Sequence, residues 1–490
     1  MNDVLDQVEL ALRRGETQTA ERYIAIAVQR SENCPRLDSL RGIAARQRDK
    51  LTSARKFFKS ALDAQPRSST YAFNHALACY ESHDPRAATA SLNQCLKLAP
   101  KMRRARLLRL RIARRLSHIE NAMKQAQALV HDEPDFPGAW LELGKLHLEL
   151  FDRESAKACF TRVLEQRPHH TAALSALASV APTSTLITPL THCLDNRQLS
   201  RTQRASLLLA LARCQHQAKR FDEAFQLLSD GNAILDSREP AYDRTRFESY
   251  LAALARHAPI QIDSCDNNRR SRRPLFILGP SCSGKSLLEY VLAQNIPGLV
   301  RGFESRVVHA THQRVLQATQ GAFDSANVRL DQLDMLYSCF RDAVSRSLTQ
   351  VADDQAFTLT RPQDIALVLP LLAAMPNSRL IGVFRDPADT ALSILMRDYE
   401  PGNPYHTRFD NAQHHVRTYQ NVLHELARLF PDRVMIVEYA DIVRDAGAIS
   451  RRCAEFAGLG WRPAETNLQI SGEIGIAGRY LPMLDPILSH

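Results

Sequence analysis

Glycine is scarce in this sequence, with 18 residues in 490, and its scarcity favours helical structure. The ten cysteines, spread from Cys34 to Cys453, include no Cys-x-x-Cys pair. This spread matches neither a disulfide framework nor a zinc site, so we expect reduced thiols in a cytoplasmic chain. No apolar run approaches the roughly 18 residues of a membrane helix, and MNDVLDQVELALRRGE has neither the basic nor the apolar region of a signal peptide.

The charge balance is basic, with 63 Lys and Arg against 53 Asp and Glu, a net charge of +10. Such a charge suits a nucleotide, an acidic peptide, a sulfated or phosphorylated substrate, or nucleic acid. It fits equally well a basic protein without any such partner. A chain of 490 residues is also too long for one hydrophobic core, so two or three domains are expected.

An internal repeat organises the first half. Prolines recur at intervals of 34 residues, and so do alanines at a second phase: Pro66, Pro100, Pro134, Pro168; Ala54, Ala88, Ala122, Ala156. This interval is the period of the tetratricopeptide repeat, in which helix pairs stack to form a continuous core. The clearest repeat, 137–170, carries the aromatic, glycine and small residues expected of the family: Trp140, Leu143, Gly144, Ala156 and Phe160. A non-repetitive helical domain is the alternative.

The repeats extend in both directions with less regular sequence. Residues 1–34 are a degenerate first repeat centred on Ala20, and a last helix pair lies around 211–228 with Ala224 at the contact position. The stretch APTSTLITPLTHCLDNRQLS, 181–200, is expected to be irregular. We therefore predict an α + α/β protein: a helical repeat solenoid over 1–258, a linker over 259–273, and an α/β domain with a mainly parallel sheet over 274–490.

A phosphate-binding loop opens the second domain. The apolar strand 275–278 runs into Gly-Pro-Ser-Cys-Ser-Gly-Lys-Ser, 279–286, and the helical pattern SLLEYVLAQN follows. In this context the two glycines allow successive N–H groups to face one concavity, and the helix N-terminus adds unpaired donors. Lys285 supplies a cation and Ser286 a hydroxyl.

A second anion-binding element follows about 100 residues later. The strand SRLIGVF, 378–384, ends at Arg385, where open α/β sheets place ligands. Pro387 and Asp389 are helix-start residues, which puts Ser393 on the next helix, so Arg385 and Ser393 can converge on one anion. The alternative is an arginine paired with a local carboxylate such as Asp386.

These segments together resemble the P-loop sulfotransferases, particularly bacterial proteins that join tetratricopeptide repeats to a sulfotransferase domain. LFILGPSCSGKSLLEYVL is similar to the 5′-phosphosulfate loop, and RLIGVFRDPADTALSI to the 3′-phosphate motif. The resemblance implies 3′-phosphoadenosine-5′-phosphosulfate (PAPS) as co-substrate, a hydroxyl acceptor, and no metal. It places the 5′-phosphosulfate at Gly279, Ser281, Cys282, Ser283, Gly284, Lys285 and Ser286, and the 3′-phosphate at Arg385 and Ser393.

The same resemblance suggests catalytic residues. The segment LVRGFESR, 299–306, is similar to the part of tyrosylprotein-type sulfotransferases in which a glutamate acts on the acceptor hydroxyl. Glu304 is then the candidate base, and Arg306 is a candidate to steady the leaving phosphate or an acidic acceptor. Lys285 is a further catalytic candidate, since a lysine at this position reaches the phosphates in nucleotide triphosphatases. The other interpretation of Glu304 is a solvated loop residue, with His309 and His312 as further candidate bases.

The chain also departs from the family pattern. The basic residue that usually precedes Ser-Gly in the loop is Cys282 here, and a lysine, Lys285, follows the glycine. Where the family tends to carry an Asp-Lys pair, this chain has Leu359 and Thr360. An altered nucleotide preference or an inactive domain is therefore open.

Two other functions compete with sulfotransfer. Gly-Lys-Ser fits a kinase or nucleotide triphosphatase, which would also need a strand-end acid for Mg²⁺, and Glu438 is a candidate. A non-catalytic scaffold is the second alternative, since repeat arrays bind peptides on their concave face. Arg104, Arg111 and Arg114 are at groove-facing phases and predict recruitment of an acidic peptide, unless they form only a solvated basic face. Nucleic-acid binding is disfavoured because no aromatic residues alternate with the arginines.

Overall fold

The computed structural model of the chain describes residues 2–30, 34–48, 50–82, 84–237, 239–245, 248–249, 272–325, 328–399, 402–464, 473–480 and 482–484. The chain divides into two compact units, Met1–Leu146 and His147–His490. The predicted combination of a helical repeat array with a parallel α/β domain is confirmed. The predicted linker, 259–273, lies outside the described residues except for Arg272 and Arg273, so the boundary placed there stays a prediction.

In the described part of the repeat region the long regular elements are helices. They are α1 (Asn2–Arg13), α2 (Thr17–Gln29), α3 (Pro35–Gln47), α4 (Leu51–Ala64), α5 (Ser69–Glu81), α6 (Pro85–Leu98), α7 (Arg103–Arg115), α8 (Ile119–Asp132), α9 (Pro137–Glu149), α10 (Arg153–Gln166), α11 (Thr171–Val180), α12 (Ile187–Leu194), α13 (Arg201–Gln217) and α14 (Phe221–Asp236). Among the helices in the described ranges, none is both long and apolar enough to cross a membrane.

The 34-residue period has a direct structural origin. Each recurring proline lies in the turn between the second helix of one pair and the first helix of the next, where it ends helical hydrogen bonding. The recurring alanines lie on the second helices, and all four are fully buried. Gly42 on α3 faces Phe58 on α4 so closely that a Cβ would lie 2.6 Å from the ring. Small residues therefore occupy the positions where paired helices touch.

The prediction that 181–200 is irregular was wrong. Ser184–Leu186 forms a 3₁₀ turn that leads into α12. Pro189 is the third residue of α12, within the first turn, where its missing N–H breaks no intrahelical bond. Leu190 and Cys193 are buried and give this short helix its apolar side.

A four-stranded parallel sheet forms the core of the second domain. Its strands are β1 (Arg273–Leu278), β2 (Ala356–Leu359), β3 (Arg379–Phe384) and β4 (Val434–Glu438), in the order β2-β1-β3-β4. The connecting helices are α15 (Lys285–Asn295), α16 (Val307–Ala318), α17 (Leu330–Ser347), α18 (Ile365–Ala374), α19 (Pro387–Leu395), α20 (Phe409–Leu429), α21 (Tyr439–Arg444) and α22 (Ala446–Ala457). Both strands expected from the sequence are present as β1 and β3.

Helices cover both faces of the sheet, as parallel sheets require. Along β1, Phe276 and Leu278 belong to a cluster with Phe340 and Phe357, whereas Leu275 and Ile277 face a second cluster that includes residues of α15 and α22. Side chains thus alternate between two buried layers. This sandwich fixes the carboxyl ends of β1 and β3, from which the candidate site is built.

The last helix pair of the repeat region packs directly on the α/β domain. Residues of α13 and α14 share one hydrophobic cluster with residues of α19 and α20. Arg213 donates to the carbonyl of Met396 at 2.6 Å, and Asn232 donates to the carbonyl of Leu395 at 2.9 Å. The end of α19 is therefore held by side chains of the repeat region.

Candidate functional site

The loop between β1 and α15 has the backbone geometry of an anion-binding turn. Cys282 and Gly284 adopt left-handed conformations, with φ of 64° and 104°. Gly284 is the residue before α15, whose first N–H groups have no carbonyl partner inside the helix. These donors and the positive end of the helix dipole face the same loop, which suits a phosphate or sulfate group.

Both loop glycines are sterically required. A Cβ on Gly279 would lie 2.6 Å from the carbonyl oxygen of Val383, and one on Gly284 would lie 2.5 Å from the ring of Tyr439. The loop is therefore pressed against the end of β3 on one side and against the start of α21 on the other.

The loop hydroxyls have different surroundings. The Oγ atom of Ser283 is buried and has no hydrogen-bond partner among the described residues. Ser281 shares a side-chain hydrogen bond with Tyr405, whose pKa is raised to about 12 mainly by burial. Ser286 is exposed at the start of α15.

Lys285 is folded back onto the loop. Its Nζ atom donates to the carbonyl of Pro280 at 2.9 Å, and the side chain is 4% exposed. Burial lowers the pKa of Lys285 to about 8, and the carboxylate of Glu304 opposes this change. The electrostatic effect of Glu304 on Lys285 puts the candidate base near the phosphate loop.

Arg385 connects the loop with α19. Its Nη1 atom donates to the Oγ atom of Ser393 at 2.9 Å and to the carbonyl of Cys282 at 3.3 Å. Its guanidinium carbon lies 4.8 Å from the centre of the Tyr439 ring. The Nε atom is buried without a partner among the described residues, so one donor of the fork is uncommitted. The structure thus brings together Arg385 and Ser393, as the sequence suggested.

Asp386 does not pair with Arg385. Its carboxylate caps α19 by accepting from the N–H of Asp389 at 2.8 Å. This arrangement satisfies a donor at the helix start. The alternative in which Arg385 pairs with Asp386 is therefore wrong.

Cys282 lies just before Ser283 and Gly284, at the loop position where the sequence resemblance predicts a basic residue. Its Sγ atom lies 3.4 Å from the hydroxyl of Tyr399 and 3.6 Å from the carbonyl of Ser393. The thiol is half-buried and points toward the start of the segment after α19. It contributes van der Waals and weak polar contacts where an arginine would bring a charge.

A C-terminal segment crosses this part of the site. The buried carboxylate of Asp389 accepts from the N–H groups of Gly475 at 2.6 Å and Ala477 at 2.9 Å. Arg385 also donates through Nη2 to the carbonyl of Glu473 at 3.0 Å. These contacts link residues 86 to 88 positions apart in two segments (Arg385–Asp389 and Glu473–Ala477), so sequence reasoning missed this role of Asp389.

The candidate base lies on a tightly held loop. Glu304 is exposed and directly follows Phe303, which has a left-handed φ of 52°. The carboxylate of Glu304 also helps to raise the pKa of the buried Asp364, in the 3₁₀ turn after β2, although burial is the main cause of that rise. An exposed carboxylate near Lys285 and the end of β2 can reach an acceptor hydroxyl.

The other candidates on this side are less central. Arg306 is half-buried immediately before α16, and His309 is exposed on the first turn of that helix. His312 lies edge-on to Phe323, with ring centroids 6.0 Å apart, and burial lowers its pKa. Glu438, the candidate metal ligand of a kinase, ends β4, which β3 separates from the loop strand.

The groove arginines surround a buried acid. Glu142 is 1% exposed and contacts Arg111 at 3.0 Å, Arg114 at 3.3 Å and Lys145 at 3.0 Å. Burial alone would raise the pKa of Glu142, but the three cations lower it to about 2. Arg104 is exposed. Two of the three predicted peptide-binding arginines thus also have a structural partner.

Metal-ligating side chains do not cluster in the part of the chain that the structure describes: there is no group of three or more His, Cys, Asp or Glu placed to hold an ion.

Comparison with known proteins supports both halves of the chain. Residues 274–463 match the Sulfotransferase family, and residues 5–69 and 137–170 match tetratricopeptide repeats. An uncharacterised protein of Aquifex aeolicus is 20% identical over 354 residues, or 69% of this chain, and the match spans only 46% of that relative's length.

Solved structures similar to part of the chain include two bacterial repeat proteins. A thermophilic tetratricopeptide-repeat protein of Thermus thermophilus is 16% identical, with a TM-score of 0.33, and the match covers 36% of this chain and 97% of that one. A tetratricopeptide-repeat protein of Parabacteroides merdae is 14% identical, with a TM-score of 0.38, and the match covers 48% of this chain and 92% of that one.

Proposed function

Since this chain combines tetratricopeptide repeats with a sulfotransferase-family domain, we propose that it moves a sulfuryl group from PAPS to a hydroxyl acceptor. The observation that carries the proposal is the position of Arg385. It lies at the carboxyl end of β3 and hydrogen-bonds to both the phosphate loop and Ser393. The guanidinium of Arg385 therefore connects the loop proposed for the 5′-phosphosulfate with the residue proposed for the 3′-phosphate.

The residues at the site fit such a nucleotide. The loop 279–286 offers backbone donors, a helix N-terminus and a buried lysine to the 5′-phosphosulfate. Arg385 keeps a buried Nε donor without a partner among the described residues, and Ser393, by accepting from Arg385, holds the guanidinium at the proposed place of the 3′-phosphate. When bound, PAPS supplies a sulfuryl group on a phosphate leaving group.

Glu304 is proposed as the base. Its carboxylate accepts the proton of the acceptor hydroxyl as the oxygen attacks sulfur, and the phosphate leaves with the electron pair of the broken bond. Lys285, buried and close enough to Glu304 to sense its charge, stabilises the negative charge on the departing phosphate. Arg306 is proposed to bind an acidic group of the acceptor.

The repeat array is proposed to deliver the acceptor, as a protein or peptide with acidic residues next to the reacting hydroxyl, such as a tyrosine. The support is the basic face of α7, where Arg104 is exposed and Arg111 and Arg114 carry more positive charge than Glu142 neutralises. Arg104→Ala removes the exposed arginine of this face and leaves the partners of Glu142 in place, so it should raise KM for an acidic acceptor and leave KM for PAPS unchanged. An unchanged KM for the acceptor would contradict this part of the proposal.

Calorimetry with 3′-phosphoadenosine 5′-phosphate (PAP), ATP and GTP tests the nucleotide assignment. We expect PAP to bind more tightly than ATP or GTP, without Mg²⁺, and Arg385→Ala to weaken PAP binding about 10- to 100-fold, since a hydrogen bond to a charged group is worth about 1.5–3 kcal/mol. Tight ATP binding that ignores Arg385 and is lost on chelation of Mg²⁺ would instead favour the kinase reaction.

Transfer of labelled sulfate from PAPS tests the catalytic assignment. Glu304→Gln removes the proton acceptor but keeps the size of the side chain, so kcat should fall about 100-fold or more while PAP affinity stays the same. Equal turnover by wild type and Glu304→Gln would remove Glu304 from the reaction. An inactive wild-type protein that still binds PAP would favour a non-catalytic scaffold.

A further inference from the structure

A buried carboxylate lies directly behind the loop of the candidate base. Glu289, on α15, is 1% exposed. Its Oε1 atom accepts from the N–H of Phe303 at 2.9 Å and from the hydroxyl of Thr358 at 2.5 Å. Its Oε2 atom accepts from Nε and Nη2 of Arg301, both at 3.3 Å. The helix that begins at the phosphate loop thus reaches across to the segment that carries Glu304.

The cost of burying Glu289 indicates that its position matters. Burial raises the pKa of this carboxyl group, while Arg301, Thr358 and the N–H of Phe303 oppose the rise. A buried charge without such partners would be strongly destabilising, whereas an apolar residue of similar size would pack there at no such cost. The carboxylate must therefore serve the four donors that point at it.

Those donors fix the backbone just before Glu304. Phe303 is bound on both sides, because its N–H reaches Glu289 and its carbonyl accepts from the N–H of Thr360 at 3.0 Å. The N–H of Gly302 donates to the hydroxyl of Thr358 at 3.1 Å. A Cβ on Gly302 would lie 2.0 Å from the carbonyl of Thr358, so the two segments touch. These bonds keep Phe303 in a left-handed backbone conformation, which is unfavourable for a residue other than glycine.

Arg301 extends the contacts to the repeat region. Its Nη2 atom donates to the carbonyl of Glu149 at 3.2 Å, at the end of α9. Its guanidinium carbon lies 4.2 Å from the Phe303 ring centre and 5.8 Å from that of Phe151. Phe151 in turn stacks on Tyr290 of α15, with ring centroids 4.8 Å apart. The turn after α9 is therefore in contact with the residues that hold the Glu304 loop.

We propose that Glu289 and Arg301 are positioning residues that hold Glu304 in its reactive place and tie its loop to the repeat turn at Glu149–Phe151. The proposal rests on the proposed function, since it gives Glu304 a role in sulfuryl transfer. Neither residue touches the reacting atoms. Both act through the backbone of Phe303.

Isosteric variants separate positioning from simple packing. Thr358→Val removes the hydroxyl between Gly302 and Glu289 but keeps the shape, while Thr358→Ser restores the hydroxyl. Glu289→Gln replaces one acceptor oxygen by an NH₂ group. In either orientation of the amide, this group faces donors: those of Arg301, or those of Thr358 and Phe303. Gln294→Ala, an exposed change on the same helix, is the matched control.

Two measurements are made on the full-length protein: amide hydrogen exchange of 301–306 without nucleotide, and steady-state sulfuryl transfer. We expect faster exchange and a kcat about 10- to 100-fold lower in Glu289→Gln and Thr358→Val, as for a misplaced catalytic group. KM for PAPS should stay within about twofold. Thr358→Ser and Gln294→Ala should match wild type. Phe151→Ala should make the amides of 301–306 exchange faster, although this substitution lies outside 301–306.

If the amides of 301–306 exchange in Glu289→Gln and Thr358→Val at the wild-type rate, the proposal is overturned, whatever the kcat of these variants. Faster exchange with an unchanged kcat would also overturn it, because Glu304 would then not need to be held. Unchanged exchange in Phe151→Ala would overturn the link to the repeat turn. If Glu289→Gln loses its folded circular dichroism, the Thr358→Val and Thr358→Ser pair decides. If the wild type transfers no sulfuryl group, the proposed function is overturned instead. The exchange data are independent of that result, so the two failures can be told apart.

Discussion

Arg385 and Ser393 share a hydrogen bond of 2.9 Å across eight residues of sequence. The bond joins the end of β3 to the second turn of α19, and the Ser393 hydroxyl itself donates to the carbonyl of Asp389 at 2.8 Å. Because the hydroxyl proton is committed to α19, its oxygen faces the guanidinium, and the fork of Arg385 is oriented before any anion arrives.

A double-mutant cycle should measure this orientation. We expect Ser393→Ala to weaken PAP binding about 2- to 10-fold, the effect of one neutral hydrogen bond. In the absence of Arg385 the same change should have a smaller effect, with a coupling energy of about 0.5–1.5 kcal/mol by calorimetry. Ser179→Ala, an exposed serine of the repeat region, is the control. Additive effects of Arg385→Ala and Ser393→Ala would show that the two residues act separately.

Nucleotide affinity should depend on pH through Lys285. Burial lowers the pKa of Lys285 to about 8, so the ammonium group is charged below that pH and neutral above it. An anionic nucleotide binds better to the charged form, so PAP affinity should fall as pH rises through about 8. Calorimetry across that range on wild type, Lys285→Met and Lys285→Arg checks this. Lys285→Met should have weak affinity without this step, and the arginine variant should not lose its charge. The same step in Lys285→Met would assign the titration to another group.

Acid should weaken the repeat region through Glu142. Its pKa is lowered from 4.5 to about 2, so its ionised form stabilises the fold fully above the unfolded value of 4.5. The stabilisation is lost as pH falls from 4.5 toward 2. Glu142→Gln should lower the free energy of unfolding by about 3 kcal/mol at neutral pH, and the difference should narrow below pH 4.5. Urea unfolding at several pH values measures it, with the exposed Glu165→Gln as control. A difference independent of pH would mean that packing, not charge, is lost.

Release of the C-terminal segment should follow from Asp389→Asn. The substitution removes the charge that accepts from the N–H groups of Gly475 and Ala477. Amide exchange of 473–480 should therefore become faster, and PAP affinity should fall, because Arg385 loses its contact with Glu473. Asp195→Asn, at an exposed position of the repeat region, should change neither. Faster exchange with unaltered PAP affinity would show that the segment does not orient Arg385.

Local sequence patterns predicted the elements that depend on local physics. The recurring prolines and alanines of the repeats report turns and helix contacts within one pair, so their period is visible in the sequence. The phosphate loop is equally local, because Gly279, Gly284 and the start of α15 lie within a few residues. The helix α12 was not predicted; it is only eight residues long, and its Pro189 lies in the first turn, where a proline is tolerated.

Contacts between distant segments could not be predicted in this way. In the sequence, Glu289 is only one position on the apolar side of a helical pattern. Its role depends on Phe303 and Thr358, which lie in other segments of the chain and come near it only in the fold. The sequence position of Asp389 is that of a helix-start residue. Its hydrogen bonds from Gly475 and Ala477 depend on the path of the C-terminal segment, which the local sequence does not indicate. The arginines of α7 were predicted from their phase alone, which could not reveal that Glu142 lies buried between two of them.

The packing of α13 and α14 on α19 and α20 has a consequence for how such chains can be recombined. A fragment that starts at β1 would leave Leu392, Leu395 and Phe409 without the cover of Leu209 and Leu228, and would expose an apolar surface. The α/β domain therefore depends on the last helix pair for part of its apolar cover. We expect fusions that exchange the array for another module to stay folded when they join before α13, and to lose that cover when they join after α14.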